Sequence, residues 1–358
     1  MARDWTLPRA QDAFTYRGVE ATFLENESLR ILVLPGKGGD VLEFRDKRAD
    51  VDVLWHADHN WQPPSERVVP SVDARTWLDH YPGGWQVNLP VAGYTDSFGT
   101  APYGLHGESA LLPFESRVVR DDDEAVELAL RAEFVRYPFS VERRLTLPAD
   151  EPALHVAESV TNEGTVERPY VWQHHLALGR PLLGPAARLD VPADRGVVDD
   201  YGPDHENARL AAGESFAWPH APRADGGEAD LRQFPPHDAE VHDVAYATDL
   251  REGWYAVTNP ALDLGFAYRF PTDPFECLWY WQPFGGDVEL PYWGRNYTAG
   301  LEPTTAYPAA DIPDAQAANG TLKTLEPGET LSASFVATTY RGLEAVERVT
   351  ADGTVEGR

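Results

Sequence analysis

Cysteine, methionine and lysine are almost missing from the 358 residues: there is one cysteine, one methionine and only three lysines, Lys37, Lys47 and Lys323. The lone Cys277 excludes an intramolecular disulfide and a zinc site built from several cysteines. It lies in "FECLWYWQPF", which reads as a buried strand, so a packing thiol is expected rather than a nucleophile. No stretch approaches the length of a membrane span, and "MARDWTLPRAQ" has no apolar leader. The expectation is a cytoplasmic protein. Positive charge is also scarce: Lys and Arg total 30 against 58 Asp and Glu, a net charge of −28. That acidity is spread along the chain. It repels phosphate backbones and anionic lipid, so neither nucleic acid nor membrane is an expected partner. Diffuse acidity with little lysine points to a halophilic protein, whose self-repulsion is screened by concentrated salt.

Helical periodicity is thin as well, and 30 prolines and 29 glycines leave little room for long helices. The best helical segment is "VDARTWLDHY", with Asp73 as its cap and "PGG" as its stop. Period-two alternation is present instead. In "AVELALRAEFVRY", Val126, Leu128, Leu130, Ala132 and Phe134 share one face and Glu127, Arg131 and Glu133 the other. "FSVERRLTLP" sets Val141, Leu145 and Leu147 against Glu142, Arg144 and Thr146, and "LSASFVATTY" is similar. Such alternation marks half-buried antiparallel strands. Turn chemistry separates them, as in "LPGKGGD", "RDDDEA", "TNEGT" and "LEPGET". The segment from about Asp190 to Asp249 reads as loop-rich and acidic. The fold class expected is all-β, a large antiparallel β-sandwich with few short helices.

Candidate chemistry begins with "YVWQHHLALG". On a strand, Tyr170, Trp172, His174, Leu176 and Leu178 share a bulky apolar face, and Val171, Gln173, His175 and Ala177 share a smaller one. His174 is then a core histidine. His175 is the functional candidate, with Gln173 on the cleft floor beside it. His106 and Glu108 in "YGLHGESALLP" stand next to Gly107, which permits close approach by a ligand. Glu302 in "RNYTAGLEPTTAYP" is expected at a strand end before Pro303, with the small residues Thr298 and Gly300 leaving room on its face. Eleven tryptophans are present, among them Trp85, Trp279, Trp281 and Trp293. Most belong in a core, but Trp beside Gly-rich turns also suits stacking on a sugar ring.

These segments, in this order, resemble the aldose 1-epimerase (galactose mutarotase-like) family. "LHGES" is similar to its His-Gly segment, "HHLALG" to its histidine strand with His175 at the catalytic position, and "GLEPTTAYPA" to the segment carrying its catalytic glutamate, here Glu302. "LEPGETLSASFVATTY" resembles its closing strand, and the likeness begins near "ATFLENESLRILVLPGKGGDVLEF". The resemblance implies one β-sandwich domain over residues 1–358 that interconverts α and β anomers of an unphosphorylated aldose. Glu302 would be general base on the anomeric hydroxyl, His175 general acid on the ring oxygen, and His106 a hydrogen-bonding partner of the sugar. That chemistry needs no metal and no redox cofactor. No Arg or Lys occurs between Arg75 and Arg117, where galactose mutarotases carry a sugar-binding arginine. Trp85, Gln86 and Asn88 are the local substitutes, and Asp243 or Asp238 would supply the family's sugar-binding aspartate. Gln173, Glu108 and Trp281 complete the expected substrate-binding set.

The partner implied is a small-molecule sugar, with monomer and homodimer both open. Two other readings use the same residues. A non-catalytic carbohydrate-binding β-sandwich would keep the aromatic cleft without the acid and base. A glycoside hydrolase or lyase would use Glu302 and Glu108 as paired carboxylates. A metal site is not expected from His56 and His59, whose i,i+3 spacing would need a helical turn to converge, nor from His106, His174 and His175, because His174 and His175 point to opposite faces.

Overall fold

The structure, a computed structural model, describes residues 7–64, 76–94, 97–98, 101–200, 207–309 and 314–358. Two large antiparallel sheets dominate it. The first has twelve strands. From one edge it runs through Arg9–Tyr16, Val19–Glu25, Leu29–Leu34, Asp40–Asp46, Trp85–Asn88, Gln173–Leu178, Ala299–Thr304, Cys277–Phe284, Val241–Leu250 and Ala193–Val198 to Ser215–Ala217, with Val51–Asp52 added beside Asp40–Asp46. The second has eight strands, from Arg188–Asp190 through Trp254–Asn259, Leu264–Arg269, Thr330–Tyr340, Ala153–Asn162, Phe139–Pro148 and Ala125–Glu133 to Glu115–Asp121. The all-β expectation holds. The alternation read in "AVELALRAE" and "FSVERRLTLP" becomes an unbroken antiparallel ladder from Ala125–Pro148 to Glu133–Ser140.

One apolar core collects the inward faces of both sheets, including Leu128, Leu145, Val156, Trp172, Leu176, Tyr268 and Phe335. Burying such side chains is worth about 1.5–3 kcal/mol each, so this shared interior is what clamps the sheets. The segment between Asp190 and Asp249 is not an appendage. Its strands Ala193–Val198, Ser215–Ala217 and Val241–Leu250 form one flank of the twelve-stranded sheet. In "VDARTWLDHY" a single helical turn, Thr76–Asp79, is present, and Asp73 lies outside the described residues.

A buried polar bridge also crosses the core. Arg143 and Glu158 are directly paired across the second sheet, and both are fully buried. Arg143 Nε donates to Glu158 Oε1 at 2.7 Å, and its Nη1 donates to the Gly39 carbonyl of the first sheet's turn at 2.7 Å. Glu158 Oε2 lies 3.2 Å from His174 Nε2 on the first sheet. The alternation in "FSVERRLTLP" puts Arg143 between Val141 and Leu145 on the core face. A charge in that position signals a buried partner, which here is Glu158.

Candidate active site

Gln173–Leu178 and Ala299–Thr304 are neighbours at the centre of the first sheet. Gln173 pairs with Thr304 and Ala177 with Gly300, which sets His175 level with Glu302. On the other side His175 pairs with Gln86. Next to Glu302 comes Trp279, and next to Gly300 comes Trp281. Partners in register point to the same side of a sheet. His175, Glu302, Gln173, Gln86 and Trp281 therefore share the face turned away from the inter-sheet core.

The strand does not end at Glu302. It continues through Thr304, and Pro303 pairs with Leu278. The ladder toward Gln173–Leu178 closes at Gly300 and at Thr304 and is open between them, so the missing N–H of Pro303 forfeits nothing there. Gly300 is required beside the carboxylate: a Cβ at this position would stand 2.2 Å from Glu302 Oε1.

His175 Nε2 lies 3.3 Å from Glu302 Oε1. Gln173 holds the other carboxylate oxygen, its Nε2 donating to Glu302 Oε2 at 3.0 Å, while its Oε1 accepts from Asn88 Nδ2 at 2.8 Å. His106, on the loop after Leu105, has a left-handed backbone (φ 63°) fixed by the Gly93 N–H that donates to its Nδ1 at 3.1 Å. Its ring centroid is 5.2 Å from that of His175. Trp77, Tyr81 and Trp281 close around His175 with centroids at 5.5, 5.3 and 5.8 Å. His242 stands beside Trp281 and accepts its indole N–H at 3.2 Å. The enclosure leaves His175 3% and Glu302 2% exposed. Burial pushes the Glu302 carboxyl well above its ordinary value and lowers His175 to about 3. His106 is also held well below its usual range, by burial and then by its neighbour His175. Burial thus favours the uncharged form of both groups.

His174 points the other way. Trp85 Nε1–H donates to His174 Nδ1 at 3.1 Å, and the Tyr268 hydroxyl meets the same nitrogen at 2.8 Å. A nitrogen that accepts from indole carries no proton, so the His174 proton is on Nε2, facing Glu158. Burial alone would push Glu158 up, but Arg143 and then His174 override it and hold the carboxyl at about 2. His174 is lowered by burial, partly opposed by Glu158.

Three expected sugar contacts are placed elsewhere. Trp85 pairs with Leu176, which puts its fully buried ring on the core face with His174, not over a sugar. Asp243 pairs with Gln282, one step out of phase with Trp281, and so lies on the opposite face of the sheet. There it accepts from the Arg209 and Leu210 amides and from Arg209 Nε at 2.6 Å. The alternative, Asp238, is an exposed loop residue. Glu108 accepts from the Tyr103 hydroxyl at 2.9 Å and from the amides of Val135 and Arg136, so its carboxylate anchors a loop. Cys277 is buried, and burial raises its thiol. Among the described residues no group of three or more His, Cys, Asp or Glu is placed to hold a metal ion.

Sequence reasoning missed Lys37 and Asp40, which read as turn residues in "LPGKGGD". Lys37 is fully buried and donates to Asp40 Oδ2 at 2.6 Å and to the Ala110 carbonyl at 2.9 Å. Asp40 Oδ2 also accepts from Gln86 Nε2 at 2.8 Å, which orients the amide beside His175. His242 was legible: alternation in "VHDVAYATDL" places it on the Val244 face, and Val244 pairs with Trp281.

The sequence pattern of one family, described as a domain of unknown function (DUF4432), matches residues 16–338. The chain belongs to the DUF4432 family. No curated protein matches this DUF4432 sequence. Solved structures do resemble it. The Slr1438 protein of Synechocystis superposes with a TM-score of 0.65 at 19% identity, over 93% of this chain and 99% of that one. A Klebsiella pneumoniae protein provisionally described as an aldose 1-epimerase gives 0.70 at 18% identity, over 93% and 83%. A galactose mutarotase-like protein from Clostridium acetobutylicum gives 0.64 at 15% identity, over 93% and 98%. At these identities the likeness is one of fold, and the fold is galactose mutarotase-like.

Proposed function

We propose that this DUF4432 protein is an aldose 1-epimerase-like isomerase that interconverts the anomers of a free aldose by acid–base ring opening. The observation that carries the reading is the His175–Glu302 pair, level on adjacent strands, 3.3 Å apart and walled by Trp77, Tyr81 and Trp281. A second observation supports it. His175 Nδ1, Glu302 Oε1, Gln86 Oε1 and the Tyr81 hydroxyl are all buried and have no hydrogen-bond partner among the described residues. Each such atom costs about 1–3 kcal/mol, and a polyhydroxylated ring is the ligand class that relieves several at once.

Ring opening takes the proton from the anomeric hydroxyl as the ring oxygen gains one and its bond to the anomeric carbon breaks. The open aldehyde rotates about its first carbon–carbon bond, and closure on the other face reverses both transfers. The pair therefore needs one mobile proton. In the resting site burial keeps it on Glu302. Sugar hydroxyls that hydrogen-bond the carboxylate offset its desolvation and favour the charged form, so its proton passes to His175 Nε2, 3.3 Å away; Glu302 then takes the anomeric proton while His175 gives its own to the ring oxygen. His106, 5.2 Å from His175 between ring centroids, reaches the same ligand. Glu108 is committed to Tyr103 and two amides, which removes the second carboxylate a glycosidase would need.

The test is anomer exchange by NMR on a panel of free aldoses in high salt. Glu302→Gln and His175→Ala are expected to lose about 10²–10⁴-fold in rate, the range for a general acid or base. A wild-type rate no greater than spontaneous mutarotation across the panel would sink the proposal and leave a carbohydrate-binding role.

A further inference from the structure

A cavity of about 860 Å³ opens on the same outer face of the first sheet, past the ends of the two strands that carry His175 and Glu302. Leu32 and Leu42, on its floor, pack in a satellite cluster with Trp61 rather than in the inter-sheet core. Its walls hold four arginines, Arg30, Arg45, Arg180 and Arg295. In a chain of net charge −28 that concentration needs a reason.

Two of the four are spoken for. Arg30 meets Glu43 at 2.7 Å, and Arg45 meets both Glu43 and Asp50. Among the acids left, Asp52 takes the His56 ring at 2.6 Å and the amides of Phe44 and Leu54, and Asp58 stands exposed on the wall. Arg180 and Arg295 are different. Both are exposed, and neither side chain makes a hydrogen bond or ion pair among the described residues. They are also brought together by the ladder. Leu178 pairs with Ala299, and the Thr298 hydroxyl donates to the Leu178 carbonyl at 2.7 Å, so Arg180 and Arg295 leave adjacent strands at the same end of the sheet.

The geometry points to a second binding site, for an anionic sugar, in which Arg180 and Arg295 grip a carboxylate or phosphate and the cavity wall receives the hydroxylated ring. Planar guanidinium forks match such anions two bonds at a time. Trp55 and Tyr297 supply apolar wall, and Asp58 accepts from ring hydroxyls. Neither His175 nor Glu302 lines the cavity, and Trp55, which does, packs on Tyr81 and Tyr292 beyond it. The site is thus separate from the acid–base pair, though it shares a face and a wall with it. The expected substrate of the pair remains a neutral aldose; the anion belongs to the second site.

The experiment is calorimetric titration of the full chain with glucuronate, glucose 6-phosphate, glucose and inorganic phosphate. The proposal expects at least one of the two anionic sugars to bind at least tenfold more tightly than glucose and than phosphate, and which of them does so names the anion. Arg180→Gln combined with Arg295→Gln, both exposed and harmless to the fold, is expected to abolish that preference. Glu302→Gln is expected to keep it within twofold, so a failed mutarotation assay and a failed anion site are told apart. Glucose or phosphate binding as tightly as both anionic sugars, or an unchanged preference in the double arginine variant, would overturn it.

Discussion

Replacing His174 by phenylalanine keeps a flat ring of similar size in the core and removes three polar contacts. The Trp85 indole N–H and the Tyr268 hydroxyl lose their acceptor, and Glu158 Oε2 loses the N–H that faces it at 3.2 Å. The two buried donors that lose a hydrogen bond cost about 1–3 kcal/mol each, which sets the loss at about 2–6 kcal/mol. The Arg143 contact at 2.7 Å still neutralises Glu158, so the third contact adds little. Against a total stability of about 5–15 kcal/mol that is a severe effect. The same substitution one residue on behaves oppositely. His175 Nδ1 has no partner, and only Nε2 faces a polar group, Glu302 Oε1 at 3.3 Å, so His175→Phe should cost less, about 1–3 kcal/mol. It removes the proposed acid, and mutarotation should fall about 10²–10⁴-fold. Urea unfolding followed by tryptophan fluorescence reads the first quantity, and anomer exchange per folded molecule the second. If His174→Phe leaves the urea midpoint in place, or harms exchange more than His175→Phe does, the assignment of the two histidines to opposite faces is wrong.

Burial keeps Glu302 protonated in the folded state, while the unfolded chain releases that proton above about pH 4.5. Stability from this group is whole below that pH and is lost as pH rises toward the raised folded value, by up to about 1.4 kcal/mol per pH unit. Glu302→Gln cannot ionise, so its stability relative to wild type should climb from about pH 4.5 upward; a difference that stays flat would mean an ordinary carboxyl. Gly300→Ala places a methyl 2.2 Å from Glu302 Oε1 and 3.0 Å from the Trp281 ring, and a carboxylate displaced by about 1 Å should cost exchange about 10²-fold alongside about 1–3 kcal/mol of stability. Full activity in that variant would show that the carboxylate position is not critical. With a charge of −28, raising salt from about 0.1 to 1 M shortens the screening length from about 10 to 3 Å and should raise the urea midpoint; an unchanged midpoint counts against salt adaptation.

Much of the fold was legible because strand alternation is a local property. "AVELALRAEFVRY" and "FSVERRLTLP" show their faces without any knowledge of their neighbours, and the resulting ladder follows the pattern residue by residue. The same rule separated His174 from His175. What a strand read alone does not contain is its register. Trp85 and Gln86 are adjacent in "YPGGWQVNLP", and both were expected at the sugar. Only the pairing of Gln86 with His175 and of Trp85 with Leu176 decides that one faces the cleft and the other the core. Asp243 failed for the same reason, being one residue out of phase with the Trp281 face.

The buried charges were hidden differently. Lys37 and Asp40 look like ordinary turn residues, and although alternation puts Arg143 and Glu158 on core faces, neither position names the partner that will neutralise it. Their placement nonetheless follows one logic. The proposed acid and base sit on the two central strands, where Gln173 holds only one carboxylate oxygen, so Glu302 Oε1 and His175 Nδ1 stay available to a ligand. The charges that tie these strands down lie on the opposite face, through His174 to Glu158, or one strand away, through Gln86 to Asp40. Removing either tether should therefore act on the pair through position, whereas removing His175 or Glu302 acts on the proton itself. That distinction is what gives the adjacent histidines different phenotypes despite a shared strand.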